Sequence, residues 1–382
     1  MTTNLTAKTI RSINEVDRES WNALTNSKYP FLRHEFLSAL ENHGCLGEKT
    51  GWIPEHLVFL DNDANLVAAI PMYLKHNSFG EFVFDWGWAD AYRRAGLSYY
   101  PKLVVASPFT PASSPKILML PKYSSAMLLE SIIDSAIDYT DHCCVSSIHW
   151  LFTSEWEVKN APQLLVRTGY QFHWENMEYR CFDDFLANLA SRKRKQIKKE
   201  RRQALESGIE VHLVPGAQLE RYEWKVFHKL YCSTFLKHGN YPALTLAFFM
   251  EIAESMGDQI LIVLARQSGK IIAASFFFVG EDVLYGRYWG CSNDIPGLHF
   301  EACYYQGLEY CIERGLKRFE PGAQGEHKIS RGFLPTKTYS LHWVRHPQFR
   351  SAIVEFLAQE KEFICDNIHR LNKRSPFKEF TS

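Results

Sequence analysis

The chain has 382 residues, 46% of them hydrophobic and 14% aromatic, with 43 Lys+Arg against 43 Asp+Glu and hence no formal net charge. That length exceeds one ordinary hydrophobic core and predicts two domains, and the composition excludes extensive disorder. Apolar runs are too short to cross a bilayer, which needs roughly eighteen residues, so no membrane-spanning helix is expected.

The opening "MTTNLTAKTIRS" is too polar for a secretory signal. Nine cysteines without a CxxC spacing read as reduced thiols, so a cytoplasmic protein is expected. His142, Cys143 and Cys144 lack the spacing and further ligands of a zinc site, and no metal is expected.

In chain order, "HLVFLDNDANLVAAIPMYLKH" reads as strand, polar turn and strand, and "FVFDWGWAD" as a third strand. A helix over Ser124–Asp141, a strand over Val145–Phe152 and a helix ending near Gly169 complete a first domain, 1–180. Asp85, Trp86, Trp88 and Tyr92 in "DWGWADAYRRAG" combine aromatic rings with carboxylates, which suits a cationic or sugar-like acceptor. Tryptophans alternating on a strand also serve as ordinary core.

The segment 181–208 predicts a helix at the domain junction. Asp183 and Asp184 suit its start, Gly208 its end, and Phe185, Leu189, Ile197 and Leu205 one side. Within it, "RKRKQIKKERR" places eight cations in eleven positions around the single carboxylate Glu200. Such crowding costs a few tenths of a kcal/mol per i,i+4 like-charge pair, about enough to require an offset. Lys195, Lys198, Lys199 and Arg202 are candidates to hold phosphate; a merely solvated helix face is the alternative.

The second domain, 209–382, opens its readable part with "QILIVLARQSGKIIAASFFFVGEDVLYGRYWGCS", an antiparallel meander of three strands. A helix follows, with Phe300, Tyr304, Leu308, Cys311 and Ile312 at three- and four-residue intervals, and then the strand "LKRFEPG". The order β-β-β-α-β echoes the first half and predicts two copies of one α/β domain. Tyr285, Arg287 and Trp289 alternate toward one face of a strand and suggest a lined groove. His299 and Glu301 flank the helix start, where His299 suits a base and Glu301 also suits the helix dipole. In "EPGAQGEHKISRGF", three glycines permit a tight loop bearing Glu320, Lys328 and Arg331.

A doubled β-β-β-α-β unit with a basic helix before its second copy resembles the GNAT superfamily in tandem form. More closely, "FLRHEFLSALE", "GWIPEHL", "DWGWADAYRRAGLSYYPKLVVASPFTP", "SGIEVHL" and "FEPGAQGEHKISRGFLPTKTYSLHW" resemble the FemAB-like predicted N-acyltransferases, relatives of the peptidoglycan bridge aminoacyltransferases. The resemblance implies a tandem GNAT-like fold and acyl transfer to an amine, with the donor site in the second domain. The donor it implies is acyl-CoA or aminoacyl-tRNA, a polyanion in either case, used as co-substrate with no tightly bound cofactor. It also implies that a lysine of a K-x-G-F-like motif holds donor phosphate and developing oxyanion. Here Ser330 stands at the strict lysine position before Arg331-Gly332-Phe333, which leaves Lys328 and Arg331 both open for that role.

The GNAT phosphate loop, Q/R-x-x-G-x-G/A, is absent from "CSNDIPGLHFEA". No G-x-S-x-G elbow occurs, which disfavours a covalent hydrolase. A non-catalytic RNA- or nucleotide-binding protein and a degenerate acyltransferase used as a scaffold remain the alternatives. The acceptor's identity (a peptidoglycan-related precursor among others), peripheral membrane contact and oligomeric state are left open.

Overall fold

The structure is a computed structural model that describes residues 5–25, 29–206 and 208–378. The chain divides into two compact units, Met1–Tyr170 with Lys337–Asp366, and Gln171–Thr336 with Asn367–Ser382. The expected domains were continuous stretches, 1–180 and 209–382; instead residues 337–366 belong with the first unit, and the basic helix lies wholly within the second.

In the first unit, Trp52–Pro54 runs on into His56–Leu60, and Leu66–Ile70 runs on into Met72–Lys75. The two long segments pair antiparallel, as the hairpin reading predicts. The third strand, however, is Lys102–Val105, paired with Met72–Lys75. "FVFDWGWAD" does not fill that place: Trp86–Arg94 is a helix. Its real period is helical, because Trp88 and Tyr92, four residues apart, are the buried pair and Trp86 is 55% exposed.

The helix Ala126–His142 follows and buries Leu129, Ile132, Ile133 and Ala136. The strand Ser147–Thr153 then lies parallel to Lys102–Val105, and Leu334–Val344 pairs on its far side. Where a helix was expected to end near Gly169, a short capped helix, Glu155–Asn160, precedes a strand, Leu165–Glu175, that runs through Gly169. The core joins the helix Ala126–His142 to both sheets through Leu57, Leu103, Ile148 and Trp150.

The second unit repeats the order. Ile209–Pro215, Ile260–Gln267, Lys270–Val279 and Val283–Cys291 form an antiparallel series. A helical segment spans Leu298–Phe300, a π turn Glu301–Tyr305 and the helix Gln306–Arg314. Arg318–Glu320 then pairs parallel to Val283–Tyr285 and antiparallel to Trp174–Glu175.

The predicted helix over 183–207 is two helices, Phe182–Ala187 and Ser191–Glu206. Between them the backbone turns away to pair with the chain's far end: Ala190 N donates to Pro376 O at 2.9 Å, and Lys378 N donates to Asn188 O at 3.0 Å. Those tertiary bonds replace helical ones. Leu205, predicted on the buried side, is 48% exposed.

The helix Arg221–Lys237 lies so close to the strand Val283–Cys291 that a Cβ at Gly290 would sit 2.4 Å from the Leu230 backbone carbonyl. Backbone cannot retreat as a side chain can. Gly290→Ala should therefore lower stability by about 2–3 kcal/mol, measured by urea denaturation at unchanged m-value.

Candidate active site

Two parallel strand pairs, one in each unit, separate after three residues of register, and the fate of each gap differs. In the first unit the strands pair from Leu103 and Ile148 to Val105 and Trp150. The gap beyond is filled by the chain itself: Ser114 N donates to Phe152 O at 3.0 Å. The buried Lys116 ammonium then bonds Phe152 O, Ser114 O, Ser114 Oγ and Ala112 O at 2.7–3.3 Å.

In the second unit the strands pair only as far as Tyr285 and Glu320. Pro321 turns one strand away. The other carries a β-bulge at Arg287, since Phe276 opposes Tyr288 while Phe277 opposes Gly286. The result is a crevice of about 90 Å³ whose walls include Arg287, Trp289, His299, Cys303, Tyr304 and Pro321. Of the predicted groove residues, Arg287 and Trp289 line it, but the bulge interrupts the alternation and Tyr285 is buried beside it.

The π turn supplies three successive site residues, Cys303, Tyr304 and Tyr305. Widening a helix frees carbonyls from their usual partners, and Ser275 Oγ donates to Ala302 O at 2.6 Å, within the same turn. His299 packs its ring on Trp289, Tyr304 and His327 at 5.4–6.3 Å. Burial, with His327, Arg331 and Lys328 nearby, pushes its pKa down to about 4, so it is a neutral imidazole at physiological pH. His327 Nε2 lies 3.0 Å from the Tyr304 hydroxyl. Burial also pushes the Cys303 thiol well up, which leaves it protonated and a poor nucleophile.

Lys328 and Arg331 belong to one 3-10 turn, Glu326–Arg331, and are each 3% exposed. Lys328 Nζ donates to Gly322 O at 2.7 Å. Burial lowers its pKa to about 7, so charged and neutral forms coexist near neutrality. Arg331 is spent on structure. Its Nη2 donates to Glu200 Oε1 at 2.8 Å, Nε to the Tyr305 hydroxyl at 3.1 Å and Nη1 to His327 O at 2.7 Å. Its guanidinium also lies over the Phe300 ring at 3.4 Å.

Glu301 is likewise taken: it is fully buried and binds Arg201 Nε and Nη2 at 3.0 and 2.9 Å and Gln306 at 2.7 Å. Glu320 is 5% exposed, 4.0 Å from His173 and 3.8 Å from Arg318.

The basic helix Ser191–Glu206 has two faces. Ile197 and Ala204 are buried, and Glu200 and Arg201 dock inward, Arg201 also pairing with Glu309 at 2.7 Å. Glu200 accepts from the Tyr305 hydroxyl as well as from Arg331. Lys195, Lys198, Lys199 and Arg202 are exposed, Lys198 within 3.4 Å of Asp183 and Arg202 within 3.4 Å of Glu206. Helical spacing puts Arg192, Lys195, Lys199 and Arg202 on one stripe opposite the docked face. A Cβ at Gly297, where the central helix starts, would lie 2.4 Å from the Glu200 carbonyl oxygen. The basic helix thus packs backbone to backbone against the start of the central helix.

In the first unit, Asp85 binds the buried Lys102, Trp88 and Tyr92 pack in the core with Ile353 and Leu357, and Trp86 lies outside. These four residues do not gather around one opening. Sequence reasoning placed His327 on the same loop as Lys328, but missed Tyr304 and Tyr305 as site residues and the docking role of Glu200 and Arg201. The lone carboxylate in a cationic run was the available signal. Among the described residues, no three His, Cys, Asp or Glu side chains group as a metal site.

A family model described as peptidoglycan biosynthesis/recognition, FemAB-like, matches residues 12–379. The crystal structure of FemX aligns with a TM-score of 0.54 at 11% identity, covering 91% of this chain and 100% of its own. L-PGS from Bacillus licheniformis aligns with a TM-score of 0.53 at 11% identity, covering 89% and 96%. At these identities the likeness is one of fold. No curated protein sequence matches the chain.

Two outcomes follow for the site's stability. Glu200→Ala strands the buried Arg331 and should cost about 3 kcal/mol in urea denaturation. Lys328 carries a folded pKa below its unfolded value, so the unfolded chain binds the extra proton between pH 7 and 10.5 and stability rises with pH across that window. Lys328→Met removes the penalty, and its gain in Tm over the parent should be larger at pH 6 than at pH 9, read by differential scanning calorimetry.

Proposed function

The chain belongs to the FemAB-like family, and on that premise we propose that it is an N-acyltransferase acting in a peptidoglycan-related pathway. It moves an aminoacyl group from aminoacyl-tRNA to the amine of a precursor. The observation that carries this reading is the crevice at the parting of the strands after Tyr285 and Glu320, walled by the π turn, with the buried Lys328 close enough to act electrostatically on its lining residues Cys303 and His299. The filled counterpart in the first unit supports assigning the donor's reactive end to the second.

Two features favour aminoacyl-tRNA over acyl-CoA. The glycine pattern of a pyrophosphate-binding loop is absent from "CSNDIPGLHFEA", and the Glu200 carbonyl packs closely on Gly297 where the central helix starts. The exposed stripe of Arg192, Lys195, Lys199 and Arg202 offers separated cations along a helix, which suits a run of phosphates.

Direct transfer needs few groups. The neutral acceptor amine attacks the ester carbonyl carbon; an N–C bond forms and the carbonyl electron pair moves onto oxygen. Collapse then breaks the C–O bond to the terminal ribose, whose oxygen takes the proton given up by nitrogen. Charged Lys328 stabilises the oxyanion from a desolvated position, where such a contact is strong. Arg331 is a positioning residue that fixes the Lys328 turn against Glu200 and Tyr305. A protonated Cys303 fits a route without a covalent enzyme intermediate.

The test is transfer from charged tRNAs and from acyl-CoAs to amine acceptors. Lys328→Ala should lower single-turnover rate by about 10²–10³ with little change in donor affinity. The wild-type rate should fall as pH rises through about 7, and Lys328→Arg, which stays charged, should lose that limb. Replacing Lys195, Lys198, Lys199 and Arg202 by Gln should weaken tRNA binding and flatten its salt dependence by roughly 0.7–0.9 log unit per phosphate contact removed. Turnover with acyl-CoA alone would put the donor assignment aside, and tRNA binding without turnover from any donor would leave a binding protein.

A further inference from the structure

Segment 79–86 of the first unit is built inside out. Glu81 and Asp85 are each 3% exposed, while Phe79, Phe82, Phe84 and Trp86 are 69%, 40%, 46% and 55% exposed. Carboxylates normally stay in water and rings leave it, so both halves of this arrangement oppose the ordinary preference. The carboxylates are held by Lys102, whose side chain is fully buried and whose Nζ bonds Glu81 at 2.8 Å, Ser78 Oγ at 2.9 Å and Asp85. The Tyr99 hydroxyl donates to Asp85 at 2.5 Å. With Glu81 and Asp85 pinned inward, the rings between and beside them are left exposed.

The aromatic surface extends past that segment. The Phe84 and Trp86 rings lie 4.9 Å apart. Arg167 donates to Phe84 O at 2.8 Å and holds Glu360 through two bonds of 2.7 and 2.8 Å. On the helix Pro347–Asn372, Phe356 and Phe363 lie about one turn to either side of Glu360 and are 45% and 67% exposed. In the helix Trp86–Arg94, Asp90 and Arg93 share the outer face with Trp86, opposite the buried Trp88 and Tyr92. Arg93 and Arg94 both pair with Asp90, leaving that face with an excess of one positive charge.

We propose that this face docks the protein on the surface of an anionic lipid bilayer, with its exposed rings entering the interfacial region and Arg93 and Arg94 meeting headgroups. Phe and Trp beside arginine are the side chains that settle at a membrane–water interface. A nucleic acid would call for the cation density of the helix Ser191–Glu206, which this face lacks. No helix among the described residues is long and apolar enough to cross a membrane, so the attachment is peripheral. The inference stands apart from the transferase reading, since it uses none of the second unit's residues.

The experiment is co-sedimentation of the full chain with vesicles of equimolar phosphatidylglycerol and phosphatidylcholine, and with phosphatidylcholine alone. Binding to the anionic vesicles is expected, and a Phe79→Ser, Phe84→Ser, Trp86→Ser variant should bind at least about tenfold more weakly at unchanged circular dichroism. Arg93→Gln with Arg94→Gln should lose about fivefold per arginine on the anionic vesicles only. No binding to the anionic vesicles, or equal binding by the triple variant, overturns the proposal. So does a dimer in sedimentation velocity that the triple variant abolishes, because the rings would then cover a second copy.

Discussion

The carboxylate of Glu200 sits between the Tyr305 hydroxyl and the Arg331 guanidinium, and the second unit is organised around it. It joins the basic helix, the π turn and the turn carrying Lys328. The like charges of Ser191–Glu206 push that helix apart internally, and only attachments on its inner face oppose them. Glu200 and Arg201 supply those attachments by opposite means, one accepting from the site and the other donating to Glu301 and Glu309. The exposed cations can then be concentrated without the helix leaving the fold.

How much of this was legible in the sequence depends on whether local pattern or distant partners decide the conformation. The meander of Ile260–Cys291 was readable because its turns and apolar runs are local, and the same holds for Ala126–His142. "FVFDWGWAD" was misread because alternation of Trp86 and Trp88 mimics a strand. The deciding partners are remote: Lys102 takes Asp85, and Ile353 and Leu357 take Trp88 and Tyr92. The break at Asn188–Ala190 was invisible for the same reason, being set by Pro376 and Lys378. The sequence places Lys328 and Arg331 on one loop, and the structure has them on one 3-10 turn, but their burial and bonding are set by distant partners that spacing cannot report.

The two units apply one topology to different ends. Each has strands that part after a short parallel register, yet in the second unit the gap stays open as a crevice. In the other, Lys116 spends its ammonium on four oxygen atoms of the surrounding chain. A lysine buried this way behaves as internal scaffolding, replacing the contacts a ligand would make. Duplication of a fold therefore need not duplicate a crevice, and the filling residues mark the copy whose gap the chain itself has closed.

The close approach of Gly297 to the Glu200 carbonyl has a wider meaning for how recognition changes over time. A cradle of backbone N–H groups is fixed by the path of the chain and can be altered only by rebuilding a loop. Where that cradle is absent, affinity for a polyanion rests on side chains along a solvent-facing helix. Each can be exchanged singly, with little effect on packing. On the proposed reading, donor preference is free to drift by point substitution while the crevice beneath it stays unchanged.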